Sequence, residues 1–338
     1  MSNYIRLMGG FSFKYGIFII ALILTACSKT ITVNIPATAQ QVVVDGSIET
    51  GVPPIILLSK SQQFFGTTNL NDLSAYFVHG ASVKITASDG TQTQLQEFCL
   101  QDLNLPAAQT QQLLSALGYT SVDSANAINI CAYTVPDIFN YYLTGTCSFM
   151  GKERTTYQLS VVAPPFVNGS DSVRITASTS IPGAVAIDSL VVKPHINPAY
   201  NDSFAAIYLY LSVPDTFGNF IRYETKEKNE PFYTPKGGSV YDDKLFVGRT
   251  LSLPLERGQA PDAKFDINTD TYFYRGDTLT LKWSNIDAGT YNFFYTLEND
   301  GGGSPFSSPV KVTSNVHNGL GVFAGYATRY YTIFVPLN

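Results

Sequence analysis

Ala81-Ser82-Val83-Lys84-Ile85-Thr86-Ala87-Ser88-Asp89-Gly90 alternates apolar with polar residues and then turns. Val83, Ile85 and Ala87 fall on one side of an extended chain, and Ser82, Lys84 and Thr86 on the other, the period-two pattern of a half-buried strand. Asp89-Gly90 supplies a hairpin turn, because both central positions tolerate positive φ. Thr91–Phe98 is then the return strand. Both the alternation and the turn recur along the chain.

Working outward, the same reading predicts strands over Gln41–Ile48, Ile55–Ser59, Thr155–Val162, Val173–Ala177, Leu190–Val192, Ala206–Val213 and Ile221–Thr225. It continues over Thr250–Leu255, Thr278–Trp283, Tyr291–Leu297, Val310–Thr313 and Tyr330–Val335, with glycines and prolines between. Many short, evenly spaced strands predict an all-β protein, here two Ig-like β-sandwich domains. A boundary near Pro182-Gly183 gives an N-terminal domain over 39–183 and a C-terminal domain over 184–338. One segment breaks the pattern. Pro106–Leu117 reads as a helix, with proline in the first turn, Leu113, Leu114 and Leu117 on one face and Gly118 at C′. It lies in an insertion from about residue 100 to 135.

The first 26 residues read as a leader. Arg6 and Lys14 make a basic start, Ile17–Leu24 an apolar core, and Leu24-Thr25-Ala26-Cys27 has the order of a lipobox. The apolar run is about half of the ~20 residues a membrane-spanning helix needs. Cys27 is thus the expected lipidation site, with 27–38 as a tether; the alternative is an ordinary secretory peptide beside a chance cysteine. An acylated Cys27 implies attachment to a membrane, since two fatty chains suffice for stable anchoring. Ser28 stands where inner-membrane retention uses aspartate, so the expected address is the outer membrane, facing the periplasm or displayed outward.

The full chain has 338 residues and carries 21 basic against 26 acidic side chains; removing the leader takes away Arg6 and Lys14 alone, leaving 19 against 26, a formal charge of −7. That balance argues against nucleic acid as a partner. With 45% hydrophobic residues there is material for a large core. Cys99, Cys131 and Cys147 remain after the anchor, and an exported compartment permits disulfides. Cys99 with Cys131 is the favoured pair, because both flank the insertion; three free thiols is the alternative.

A set of segments carries a family resemblance. Gln41-Val42-Val43-Val44-Asp45-Gly46, Ile56-Leu57-Leu58-Ser59-Lys60, the Gly80–Ile85 strand and Thr156-Tyr157-Gln158-Leu159-Ser160-Val161 form the opening. Ser304-Pro305-Phe306 and Asn315-Val316-His317-Asn318-Gly319-Leu320-Gly321-Val322-Phe323 form the end. Together with the lipobox they resemble the Bacteroidota lipoprotein family called domain of unknown function 4249, over nearly the whole mature chain. The Asn315–Phe323 motif is the most specific part. Asn219-Phe220-Ile221-Arg222-Tyr223 matches the family's Asn-Tyr-Tyr-Arg element only loosely, and the insertion is longer than usual. The resemblance implies a mostly β cell-envelope protein, often encoded beside outer-membrane transporters, and supplies no activity or site residues.

No motif in the chain selects a reaction or a cofactor. His79, His195 and His317 are far apart and lack zinc spacing. Asp266-x-Asn268-x-Asp270 begins like a calcium loop, but Thr271 replaces the glycine and Asp277 the glutamate, so a polar turn is expected, as at Asp242-Asp243. Gly319-x-Gly321-x-x-x-Gly325 lacks the βαβ context of a nucleotide loop and reads as a turn or bulge. Gly301-Gly302-Gly303 reads as a loop tip. Trp283 shares parity with Leu279 and Leu281 and is expected in the core. Tyr208 and Tyr210 face away from Ile207, Leu209 and Leu211; with Tyr141 and Tyr142 they are the candidate ligand-binding aromatics, although packing is the readier explanation for tyrosines in a two-sheet protein. The expected function is non-enzymatic: a binding or accessory role at the envelope, beside an outer-membrane transporter. A surface glycan-binding module is the alternative, and a hydrolase the third reading.

Overall fold

A computed structural model describes residues 40–61, 76–102, 130–166, 171–228, 230–299 and 311–337. The expected helix at 106–117, Cys27, the tether and the 301–303 loop tip lie outside these residues. Sixteen strands are described: β1 (Val42–Glu49), β2 (Ile55–Lys60), β3 (Ser82–Ala87), β4 (Gln92–Cys99), β5 (Cys131–Thr134), β6 (Thr155–Ala163), β7 (Val173–Ile181), β8 (Ser189–Pro194), β9 (Phe204–Ser212), β10 (Phe220–Glu227), β11 (Val240–Asp242), β12 (Thr250–Pro254), β13 (Phe273–Tyr274), β14 (Thr278–Ile286), β15 (Val316–His317) and β16 (Leu320–Phe334). Two α-helices accompany them, α1 (Ile138–Thr144) and α2 (Ala288–Glu298).

Alternation governs which face each strand buries. Val83, Ile85 and Ala87 are buried, while Ser82 and Lys84 are exposed. β3 pairs antiparallel with β4 across the Asp89-Gly90 turn, in the register Val83 to Leu95 and Ile85 to Thr93. Gly90 takes φ 86°, and Asp89 closes the turn by accepting the Thr91 N–H at 2.9 Å.

Twelve strands form one large, curled sheet in the order β11-β10-β14-β16-β1-β2-β5-β4-β3-β6-β7-β15. A second, four-stranded sheet has β9 at its centre, with β8 on one edge and β12 then β13 on the other. Residues 40–338 are a single compact unit. The expected boundary near residue 183 divides neither the large sheet nor the first core, which takes Val316, Phe323 and Ala327 from beyond it. One core joins Val42, Ile85, Leu159 and Ile175 to Phe323; another joins Ile207, Leu209, Phe273 and Leu281 to Val335. The large sheet runs through both, because β16 pairs parallel with β1 and antiparallel with β14.

The Asn315–Phe323 motif makes that junction. The Asn315 side chain imitates a strand: its Oδ1 accepts the Phe323 N–H at 3.0 Å, and its Nδ2 donates to the Phe323 and Ser178 carbonyls at 2.7 and 3.0 Å. Asn318 at φ 61° turns the chain, and Gly321 at φ 94° brings β16 against the Val44 backbone. Gly319 lies in the turn before β16, whereas Gly321 and Gly325 lie within β16 and allow close approach of the Val44 and Ser180 backbones.

One expected element is different. Tyr291–Leu297, predicted as a strand from its tyrosines, phenylalanines and threonine, lies in α2. Asp287 decides the matter: its Oδ1 accepts the Thr290 N–H at 2.8 Å as an N-cap. Its Oδ2 accepts from Ser180 N–H at 2.8 Å and Thr179 Oγ1 at 3.0 Å, which fixes the helix start against β7. Tyr291 and Tyr295 then stack one turn apart, centroids 5.5 Å. A cap and tertiary contacts outweigh β propensity here. Residues 311–313, at the end of the expected Val310–Thr313 strand, belong to no strand.

Candidate functional site

The inner faces of the two sheets meet over an open, apolar cleft of ≈ 300 Å³. Leu209 and Leu211 of β9 and Leu251 and Leu253 of β12 line the small-sheet side. Register explains the set, since Leu211 pairs with Leu251 and Leu209 with Leu253, placing all four on one face. Tyr223 of β10 and Trp283 of β14, direct cross-strand partners, line the opposite side. Their rings stack at 6.3 Å, and Tyr223 stacks in turn on Tyr241 at 5.9 Å, making an aromatic wall. Leu253 (38% exposed) and Phe246 (37%) stand open to solvent.

Polar groups around the cleft are mostly committed. Asp243 accepts the Gly218 and Asn219 N–H groups at 3.1 and 3.2 Å, and the Asn219 side-chain amide at 2.7 Å. Asp242 pairs with Lys244 at 2.7 Å, and hydrogen bonding from that lysine holds its carboxyl below the usual range. Asn285 Oδ1 accepts the Val185 N–H at 2.7 Å, and the Tyr223 hydroxyl accepts from Glu256 N–H at 3.2 Å. Trp283 differs. It is 4% exposed, and its Nε1–H has no hydrogen-bond partner among the described residues. An arrangement of this kind can enclose an apolar body; its two aspartates are spent on backbone and a lysine.

The other sequence candidates are dispersed. Tyr208 and Tyr210 lie half-buried on the outer face of the small sheet, opposite Ile207, Leu209 and Leu211. Lys193 Nζ sits 3.9 Å above the Tyr208 ring and 5.8 Å from Tyr210, which occupies the ring face a sugar would stack on. Tyr141 and Tyr142 belong to α1; Tyr141 packs on the first core and Tyr142 is 49% exposed. Their rings meet edge-on at 70° and offer no flat platform.

Cys99 and Cys131 oppose each other on β4 and β5 and are joined by a disulfide, while Cys147 is free and half-buried. Burial pushes the Cys147 thiol up. His79, Glu97 and the two joined sulfurs offer ligand atoms within 4.8 Å of one another. The disulfide withdraws both sulfurs from metal ligation, and His79 Nδ1 pairs with Glu97 at 2.6 Å. His195 is a buried brace: Nδ1 accepts the Asn197 N–H at 2.9 Å, so Nε2–H donates to the Asn268 carbonyl at 2.9 Å. His317, exposed on β15, sits opposite Thr176. The Asp266–Asp270 segment is a polar turn that bonds to itself, with Asp266 N–H donating to Asp270 and Asn268 N–H to Asp266.

Glu227, 5% exposed, lies beside the second core and its carboxyl is displaced upward. Burial raises it to about 7, with Arg257 pulling the other way. Its native value lies above its unfolded value, so folding favours the protonated form; stability is greatest below the unfolded value and falls as pH rises toward 7. Glu227→Gln removes this decline and is expected to make the protein roughly 2–3 kcal/mol more stable than wild type at pH 8, with little difference at pH 4. Urea unfolding at the two pH values measures it.

The fold defines a mostly β protein with a large curled sheet, a smaller sheet facing it and an apolar cleft between them. The chain belongs to the family described as Domain of unknown function (DUF4249), whose model matches residues 28–332. No curated protein and no solved structure matches it. Among the described residues, no helix is long and apolar enough to cross a membrane.

Proposed function

We propose that the chain is a non-enzymatic binding protein of the cell envelope, moored through a lipidated Cys27 to the outer membrane, that receives an apolar moiety in the cleft between its sheets. One observation carries the binding role: a preformed cleft, lined by aliphatic and aromatic side chains, whose carboxylates and amides are already paired. Small-molecule sites have this composition. The lipobox, the family and the excess of acidic over basic residues support the address; accessory work beside an outer-membrane transporter is the setting that the family's implied company favours. Two β lobes, 39–183 and 184–338, remain the architectural reading, supported by the second core, whose residues all lie beyond 183, while the first borrows Val316, Phe323 and Ala327 from the C-terminal lobe. Glycan binding is the weaker alternative, because Lys193 caps Tyr208 and the Tyr141–Tyr142 pair is edge-on.

Titration with an apolar, solvatochromic dye tests the cleft. Wild type is expected to bind it saturably. Phe246→Lys and Leu253→Lys put a charge at the open side without disturbing fully buried positions, and each is expected to weaken binding about tenfold. Unchanged affinity in both variants would place the dye elsewhere and defeat the assignment.

A further inference from the structure

His79, Glu97, Cys99 and Cys131 converge beside Tyr133 of the first core. Sequence spacing hid this set, because strand pairing assembles it. Glu97 and Cys99 are two apart on β4 and so share a face. Cys131 on β5 stands directly across from Cys99, and Tyr133 across from Glu97. His79 enters from the segment before β3. The Tyr133 hydroxyl holds that segment, donating to the Val78 carbonyl at 2.7 Å and accepting the Ala81 N–H at 3.0 Å. Glu97 is oriented in turn: Oε2 accepts the Gly80 N–H at 2.9 Å, while Oε1 lies 2.6 Å from His79 Nδ1 and 3.8 Å from Cys99 Sγ. One ligand atom from each of the four residues lies within 4.8 Å of the other three. Tetrahedral zinc, with bonds of about 2.0–2.3 Å, places its ligand atoms roughly 3.3–3.8 Å apart. The set must therefore draw in by about 1 Å at its widest, and the two bonded sulfurs must part. His79 is exposed and Glu97 half-buried, so both side chains can rotate to do so.

We propose that this cluster is a redox-gated zinc site: reduction of the Cys99–Cys131 bond lets it take one Zn²⁺ through His79 Nδ1, a Glu97 oxygen and both sulfurs. A dithiol supplies the two electrons. Its thiolate attacks Cys99 Sγ, the more exposed sulfur of the pair, and Cys131 leaves; its second thiol then resolves the mixed disulfide. The products are two protein thiols and the dithiol's own disulfide. Zn²⁺ displaces both thiol protons to solvent, and the neutral imidazole and the carboxylate complete the tetrahedron. Two thiolates with one imidazole and one carboxylate suit zinc. Four protein ligands leave no open position, so the metal is structural. It ties β4, β5 and the segment before β3 together when the covalent bond is gone. The Gly80 N–H on the other Glu97 oxygen fixes the direction of the carboxylate. The site is independent of the cleft between the sheets.

Co²⁺ is the probe, because tetrahedral cobalt on thiolates has visible bands and a near-ultraviolet sulfur charge-transfer band. It is titrated into the mature chain carrying Cys147→Ala, which removes the free thiol, either oxidised or reduced with a phosphine. The reduced chain is expected to bind one Co²⁺ with the tetrahedral spectrum and to release it to Zn²⁺; the oxidised chain is expected to show no such spectrum. His79→Gln and Glu97→Gln are each expected to weaken reduced-state binding at least about tenfold, and Cys99→Ser with Cys131→Ser to abolish the charge-transfer band. No tetrahedral spectrum on reduction, the same spectrum in the oxidised chain, or unchanged affinity in either glutamine variant overturns the proposal.

Urea unfolding covers the case in which reduction itself loosens the fold. Zn²⁺ is expected to raise the midpoint of the reduced chain, or to restore its folding, and to leave the oxidised chain unmoved, since a ligand stabilises the state that binds it. A reduced chain that gains no stability from Zn²⁺ overturns the assignment.

Discussion

Gly321→Ala is expected to lower the unfolding free energy by about 3–5 kcal/mol, a large part of the 5–15 kcal/mol typical of a domain. Gly321 has φ 94°, where an L side chain is strained. A Cβ there would also fall inside the contact distance of the Val44 carbonyl, on the neighbouring strand. Either β16 moves away from β1 or the backbone distorts, and this strand pair joins the two halves of the large sheet. Gly90→Ala is the control. Gly90 has φ 86° but open space around its Cα, so strain alone applies and the cost is about 1 kcal/mol. Urea midpoints of the two variants separate crowding from strain; similar losses would show that close packing of β16 on β1 is not the cause.

Cys27→Ala is expected to move nearly all of the protein from the membrane to the soluble fraction. Residues 40–338 form a compact unit, and among the described residues no helix could hold it in a bilayer. In the proposed account the acyl chains alone fix it there, and chains that anchor stably together lose that hold entirely when their attachment atom is removed. Fractionation of cells expressing wild type and variant reads the result. Full retention of the variant at the membrane would mean that Cys27 is not the mooring point.

The half-buried strands were the most legible part of the chain. In β3, β6, β7 and β9 the period-two alternation in the sequence follows the burial pattern, with the buried Thr155 and Thr179 as exceptions. α2 was hidden, because its tyrosines and phenylalanines favour strands and its decisive Asp287 bonds reach Thr179 and Ser180, more than a hundred residues away. The joining of both halves into one sheet was equally hidden: it rests on the parallel pairing of β1 with β16, and local pattern carries no information about which distant strands pair.

Trp283 was readable as a core residue from its parity with Leu279 and Leu281, and it is buried with them. Its place in a cleft was not readable, because the cleft needs β9, β10, β12 and β14 to converge. Asp242-Asp243 as an acidic turn and the Asn219–Tyr223 element, read for a family likeness, are sequence signals that fall in the cleft lining. Tyr208 faces outward but is capped by Lys193, and the Tyr141 and Tyr142 rings are set edge-on. Parity tells which face a side chain occupies, not what else covers that face.

The most direct test uses the emission of Trp283 with a small brominated aromatic hydrocarbon as quencher. Bromine quenches only near contact, and the chain has no other tryptophan to confuse the signal. Occupation of the cleft predicts a saturable loss of emission in wild type, weakened by Leu253→Lys. A linear, unsaturable loss equal to that of the urea-unfolded protein, or no loss at all, would contradict an apolar binding site between the sheets.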